Sequence, residues 1–430
     1  MNLWESKYFN LHKFVFWGVV MKKMHYAWWV MIACCALQFG VTGIAASTAG
    51  VFYSPVSSDL GVGVGTLSLH STVQSISMML FYPLAGKLLA KHDIRLTISL
   101  PTLGVCLVFL AMSTFKSVYF FYVSAALLGF CYSFTLFLAI PTVLGNWFKQ
   151  KLGFAMGFTL AFSGIGGAIF NVVAGTVIQN HGWRTAYVVL SASIALIVLP
   201  FSIFLLRTRP EDKGLLPYGA DAAGTADNAR RAVSAPELDK KAIAATSSYK
   251  LLLVFGGTMG LLSALQPNMA NISRSLGNET VVNSMVGSTI MAAIIAAKVL
   301  LGMFNDKVGT KKTLLFSYIP SAVALLFLLA ACLTSTNTFL FLGAALYSIP
   351  VSLASIETPI LVRETFGASS YTYVYPRVQR AYSLMSALSI PCYNFIYDTF
   401  GQYTLVIVLL LGAMTISVLS SRSVLRSRQK

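Results

Sequence analysis

The feature that most constrains this chain is a run length. From Tyr26 onward its apolar residues fall into about twelve blocks of some twenty, parted by short polar segments. A hydrocarbon core about 30 Å thick takes about 20 helical residues to cross. In that medium each backbone N–H and C=O must be bonded internally, which for runs of this length means helices. Only 10% of the 430 residues are charged, against about a quarter in soluble domains. The chain therefore reads as an all-α membrane protein embedded in a lipid bilayer. Spans are expected over 26–54, 66–89, 95–115, 117–144, 152–179, 183–206, 249–271, 281–304, 313–333, 337–362, 377–398 and 402–421.

Twelve spans leave both ends of the chain on one side, and the basic residues identify that side by their bias toward the cytoplasm. The two tails and the loops and helix ends on their side hold 27 of the 31 Lys and Arg residues. Lys116, Arg184 and Arg274 fall opposite, and Lys298 lies inside a span. Both termini are expected to be cytoplasmic. A net charge of +17 would suit nucleic acid, but the same residues are accounted for as topology signals facing an anionic leaflet, so no nucleic-acid partner is expected. The six cysteines sit in apolar helical contexts without a CxxC, which reads as small buried hydrophobes and not disulfides or metal ligands. No cofactor or metal is expected. Residues 1–20 fit neither a span nor a cleaved signal, whereas Met21 to Val30 (MKKMHYAWWV) have the lysines and aromatic belt of a natural beginning. Translation is expected to start at Met21, with residues 1–20 dispensable.

Residues 207–249 interrupt the pattern with charge, Pro, Gly and Ala, as a linker would. The expected division is a tail (1–24), a six-helix bundle (25–206), the cytoplasmic linker (207–249), a second bundle (250–421) and a basic tail (422–430). Features recur across the linker. Gly86 to Arg95 (GKLLAKHDIR) answers Gly302 to Lys311 (GMFNDKVGTK), and Phe148 and Phe366 follow at 62 and 64 residues. Repeated spacing of this kind marks duplication.

GMFNDKVGTKK resembles the loop signature of the major facilitator superfamily, with matches at Gly302, Asp306, Lys307, Gly309, Lys311 and Lys312. The first half keeps Gly86 but has Ala90 at the Asp position. Within that superfamily HYAWWV, NWFKQKLGFAMG, GWRTAY, RPEDKGLLPYG and RETFGASSY resemble the bacterial monocarboxylate transporter and oxalate:formate antiporter group. The resemblance implies two six-helix bundles about a pseudo-two-fold and a monomeric transporter of a small organic anion in the plasma (inner) membrane. It also implies gating by Gly302, Asp306, Lys307, Gly309, Lys311 and Gly86. In that group a basic residue eight before the loop Asp binds substrate carboxylate; Lys298 stands eight before Asp306, where the group usually has Arg.

Ionisable groups inside spans are costly, so they are the first suspects. Lys298 on span eight and Arg380 near the start of span eleven could clamp a carboxylate; the bland reading is that Lys298 snorkels and Arg380 marks a helix start. Glu357 on span ten is a candidate for ion coupling or a partner for a cytoplasmic Arg. Gln38, Gln74, Tyr132, Gln266 and Tyr382 could line a path, although mid-span polar groups are more often helix–helix hydrogen bonds. His70 reads as interfacial. An exporter of drugs or other non-anionic compounds would place acids in the cavity, and only Glu357 offers one. No HExxH, GxSxG or P-loop occurs, so no enzyme is expected, and the linker is too short and polar for a signalling domain.

Overall fold

The computed structural model describes residues 24–220 and 240–427. The expected start at Met21, the middle of the linker and the last residues of the basic tail lie outside the described residues. Among the described residues ten helical stretches are long and apolar enough to cross a membrane, and two of these are pairs. Residues 152–204 break at Gly182 (φ 81°) and 337–400 break at Gly367 (φ 74°). Both glycines hold φ values that a side chain disfavours. The twelve helices are α1 (Tyr26–Leu60), α2 (Val64–Lys91), α3 (Ile94–Met112), α4 (Val118–Trp147), α5 (152–181), α6 (183–204), α7 (Ser247–Asn268), α8 (Thr280–Val308), α9 (Thr310–Thr334), α10 (337–366), α11 (368–400) and α12 (Thr404–Ser427).

Most boundaries match the expected spans, and α11 is the exception. The sequence reading starts it at residue 377. The break lies at Gly367 instead, and Pro376 sits inside the helix.

In the first half α1 contains a π-helical stretch, Gln38–Ala46, whose Gly43 meets the α5 backbone at Ser163 and Gly166. Contacts this close need small residues, and in lipid they supply much of the helix–helix attraction. The Ser163 to Gly167 segment is thus a packing motif. Helices α3 and α6 are tied by Ser99 to Ser202 and by the Ser191 hydroxyl donating to the Cys106 carbonyl. In the second half Gly256 and Gly260 on α7 pack on Val378 and Tyr382 of α11, and Tyr318 on α9 bonds Ser417 and Ser421 on α12. The faces turned away from these contacts carry exposed apolar residues such as Leu100 and Leu196, as expected of surface wetted by lipid tails.

Candidate functional site

The two halves meet through α5 with α8 and α2 with α11. A Cβ on Gly302 would collide with the Gly153 carbonyl, one on Gly157 with the Lys298 carbonyl, and one on Gly86 with Pro376. The Gly153 and Gly157 pair is a small-xxx-small spacing, a packing signal legible in the sequence. From Gly153 to Gly164, where α5 meets Ile295, is roughly 16 Å at 1.5 Å per residue. Cross-half hydrogen bonds among the described residues fall in this same part of the molecule, toward the loops rich in Lys and Arg.

At that basic end the Asp306 carboxylate accepts from two backbone N–H groups of the opposite half, Gly153 to Oδ1 and Phe154 to Oδ2, each at 2.7 Å. These are the first free donors of α5, where the helix dipole favours an anion. Lys151 caps the helix with φ 59°, an uncommon conformation for a side-chain-bearing residue. Nearby, Arg363 on α10 donates to Asn146 Oδ1 at 3.2 Å. Burial, and then the Arg363 guanidinium, hold the Lys149 ammonium below its usual value. Tyr375 adds a bond from α11 to the Phe137 carbonyl at 3.3 Å. Lys307 and Lys311 are exposed, and Gly309 turns α8 into α9 with φ 81°.

Lys298 lies deeper on α8. Its Nζ crosses to the other half and donates to the Leu160 carbonyl at 3.1 Å and to Ser163 Oγ at 3.2 Å, while Ser163 itself donates to the same carbonyl. It does not snorkel. The two oxygens that the Lys298 ammonium meets are thus neutral, a carbonyl and a hydroxyl.

The structure does not bring Arg380 to Lys298. Arg380 shares an exposed stripe of α11 with Leu384, Leu388 and Phe395, at the i, i+4, i+8, i+15 spacing of one helix face. That is the apolar outer surface, and the earlier start of α11 at residue 368 removes the reason for placing Arg380 at a helix end facing a cavity. Glu357 is fully buried and holds the Asn305 amide, at 2.8 and 2.7 Å to its two oxygens. Its partner is an amide and not a cytoplasmic Arg, which was one of its two readings. Asn305 is also bonded to Thr310, and Thr310 to Glu364.

The remaining candidates scatter. Gln38 is buried and bonded to Thr42 within the π-helical turn. Gln266 reaches Met291 Sδ at 3.8 Å, and Tyr382 is half-buried with its ring 6.2 Å from that of Phe137 in the other half. Gln74 and Tyr132 line a cavity of about 20 Å³ inside the first bundle with Phe52, Tyr53, Tyr187 and His70, room for about one water. His70 is a correction: it is buried with Nε2 unpartnered, not interfacial. Asn171, Tyr347 and Asn394 make the helix–helix or local bonds expected of mid-span polar groups.

Two six-helix bundles meeting through paired helices, with a carboxylate of one half on a helix start of the other, define the architecture of a solute transporter. The chain belongs to the major facilitator superfamily, whose family model matches residues 30–266, more than half its length. Relatives are distant. The probable transporter MCH2 of Saccharomyces cerevisiae is 22% identical over 80% of this chain and 72% of its own. The multidrug resistance protein MdtG of Salmonella choleraesuis is 24% identical over 66% and 69%. Among solved structures the proton:xylose symporter XylE superposes with a TM-score of 0.64 at 13% identity, covering 92% of this chain and 94% of that one. The transporter FucP in its outward conformation gives 0.63 at 12%, covering 92% and 98%. These likenesses carry the fold.

Proposed function

We propose that this transporter moves a small organic anion, a mono- or dicarboxylate, by alternating access, as its resemblance to the monocarboxylate transporter and oxalate:formate antiporter group suggests. One observation carries the reading: the Lys298 ammonium is held between the halves by two neutral oxygens, without a carboxylate. A buried cation lacking a counter-ion is costly, and a substrate carboxylate would supply one through a charge-assisted hydrogen bond. Because Leu160 and Ser163 belong to the opposite half, an anion that draws Lys298 away from them would also loosen the closed end.

In this reading the basic end faces the cytoplasm, as do both termini, the membrane is the plasma (inner) membrane, and the monomer is the working unit. Asp306 latches the cytoplasmic end shut, with Gly302 and Gly86 allowing the close approach and Lys307, Gly309 and Lys311 shaping the loop. Glu357 is the candidate coupling group. Exchange of one anion for another is one mode such a site supports. A second reading, export of drugs or other non-anionic compounds, has the relatives named for multidrug resistance in its favour. It gains nothing from the acids, since Glu357 is turned onto Asn305.

Binding of labelled carboxylates (lactate, pyruvate, formate, oxalate) to purified Lys298→Gln tests the proposal. Loss of a charge-assisted hydrogen bond, about 1.5 to 3 kcal/mol, should weaken binding on the order of ten- to a hundredfold, and Lys298→Arg should retain part of it. Unchanged affinity in folded Lys298→Gln would remove the residue from the site.

A further inference from the structure

At the basic end of the first half an open cleft of about 540 Å³ lies between the α2–α3 loop and the chain leaving α6. Its volume is in the range of small-molecule sites. Lys91, Arg95, Arg207 and Arg209 line it, against Asp93 and Asp212.

Both acids are already engaged. Asp93 caps the start of α3, accepting from the Arg95 backbone at 2.9 Å, and takes the Arg95 guanidinium at 2.9 and 2.6 Å. Those hydrogen bonds hold its carboxyl below the usual range. Asp212 accepts the Arg209 backbone N–H at 3.0 Å. Positive charge is left over. Ala90, which also lines the cleft, stands where the repeat in the second half has Asp306, so the same substitution that removes one latch keeps a third carboxylate out.

The cleft is firmly built. Ile94 N donates to Thr208 Oγ1 at 3.1 Å, Asn146 to the Thr208 carbonyl at 3.2 Å, and the Trp147 indole to the Arg207 carbonyl at 2.9 Å. Its walls continue into apolar surface. On α3, exposed Leu96, Leu100, Leu103 and Leu107 follow directly after Arg95; on α6, exposed Ile203 and Phe204 end three residues before Arg207. Since α3 and α6 are bonded to each other, the two stripes form adjoining tracks that run into the cationic cleft.

We propose that this cleft seats the headgroup phosphodiester of an anionic phospholipid whose acyl chains lie along α3 and α6. A free phosphate would use the cations and leave the tracks without a role, which favours the lipid. Arg supplies forked donors for phosphate oxygens, and a basic residue at an anionic membrane surface contributes enough that two of them change occupancy by about tenfold or more.

The test is native mass spectrometry of the full chain released from nanodiscs of equal phosphatidylglycerol and phosphatidylcholine, scored as retained lipid. Phosphatidylglycerol should be enriched by about tenfold and fall to parity in Arg207→Gln/Arg209→Gln. Lys312→Gln/Arg426→Gln removes the same charge from the same side outside the cleft and should keep the enrichment. Arg207→Lys/Arg209→Lys should keep most of it, which guards against a variant that merely misfolds. Parity in the parent protein, equal loss in both neutralised pairs, or displacement of the lipid by millimolar inorganic phosphate would each overturn the assignment.

Discussion

Asp306→Asn separates a latch from a loop decoration. The parent carboxylate accepts from Gly153 and Phe154 at 2.7 Å with one oxygen each. An asparagine keeps one acceptor, and its amide sets a donor against the other N–H, so one charge-assisted bond is lost together with the interaction between the anion and the start of α5. A bond to a charged group is worth about 1.5 to 3 kcal/mol, and the dipole adds about 0.3 to 1. Asp306 is exposed at its outer side, so screening reduces the total to about 1 to 2 kcal/mol. The ratio of closed to open basic ends should then fall roughly five- to thirtyfold. Nitroxide labels at Lys87 and Lys312, both exposed at that end in opposite halves, would report it in a background without native cysteines. A long-distance population should grow in Asp306→Asn, and Ala90→Asp should leave the distribution as it was. An unchanged distribution in Asp306→Asn, or an equal change in both, would refute the latch.

Three further outcomes are expected. Gly302→Val should hold the basic end open, because its side chain meets the Gly153 backbone; the same label pair reads this, and a parent-like short distance would argue against the α5–α8 contact. Arg380→Gln should bind carboxylates within about twofold of the parent, as surface substitutions away from a site usually change little, and a tenfold loss would return Arg380 to the site. Glu357→Gln should fold, since the amide oxygen can still accept from Asn305, and should abolish the pH dependence of transport in proteoliposomes; an unaltered pH profile would exclude Glu357 from coupling.

The sequence by itself determined the solvent, the class of fold and the duplication. Run length against bilayer thickness is a one-dimensional quantity, so twelve spans could be counted, and the pairing of GMFNDKVGTK with GKLLAKHDIR showed the repeat. It also exposed the asymmetry between Asp306 and Ala90. The kink at Gly367 was not legible, because a glycine and a proline nine residues apart compete as breakers, and only packing shows that Pro376 stays in the helix while Gly367 turns the chain. The error carried over to Arg380, whose facing depends on where α11 begins and which stripe its neighbours leave exposed. Lys298 was legible as a costly charge but not in its contacts, since the Leu160 carbonyl and Ser163 lie 138 and 135 residues away. Partners that distant are chosen by how two bundles meet, whereas Glu357 with Asn305 and the burial of His70 are decided by how helices pack within one bundle. Local pattern limits what each helix can bury; which charge faces which oxygen is decided when the helices close on one another.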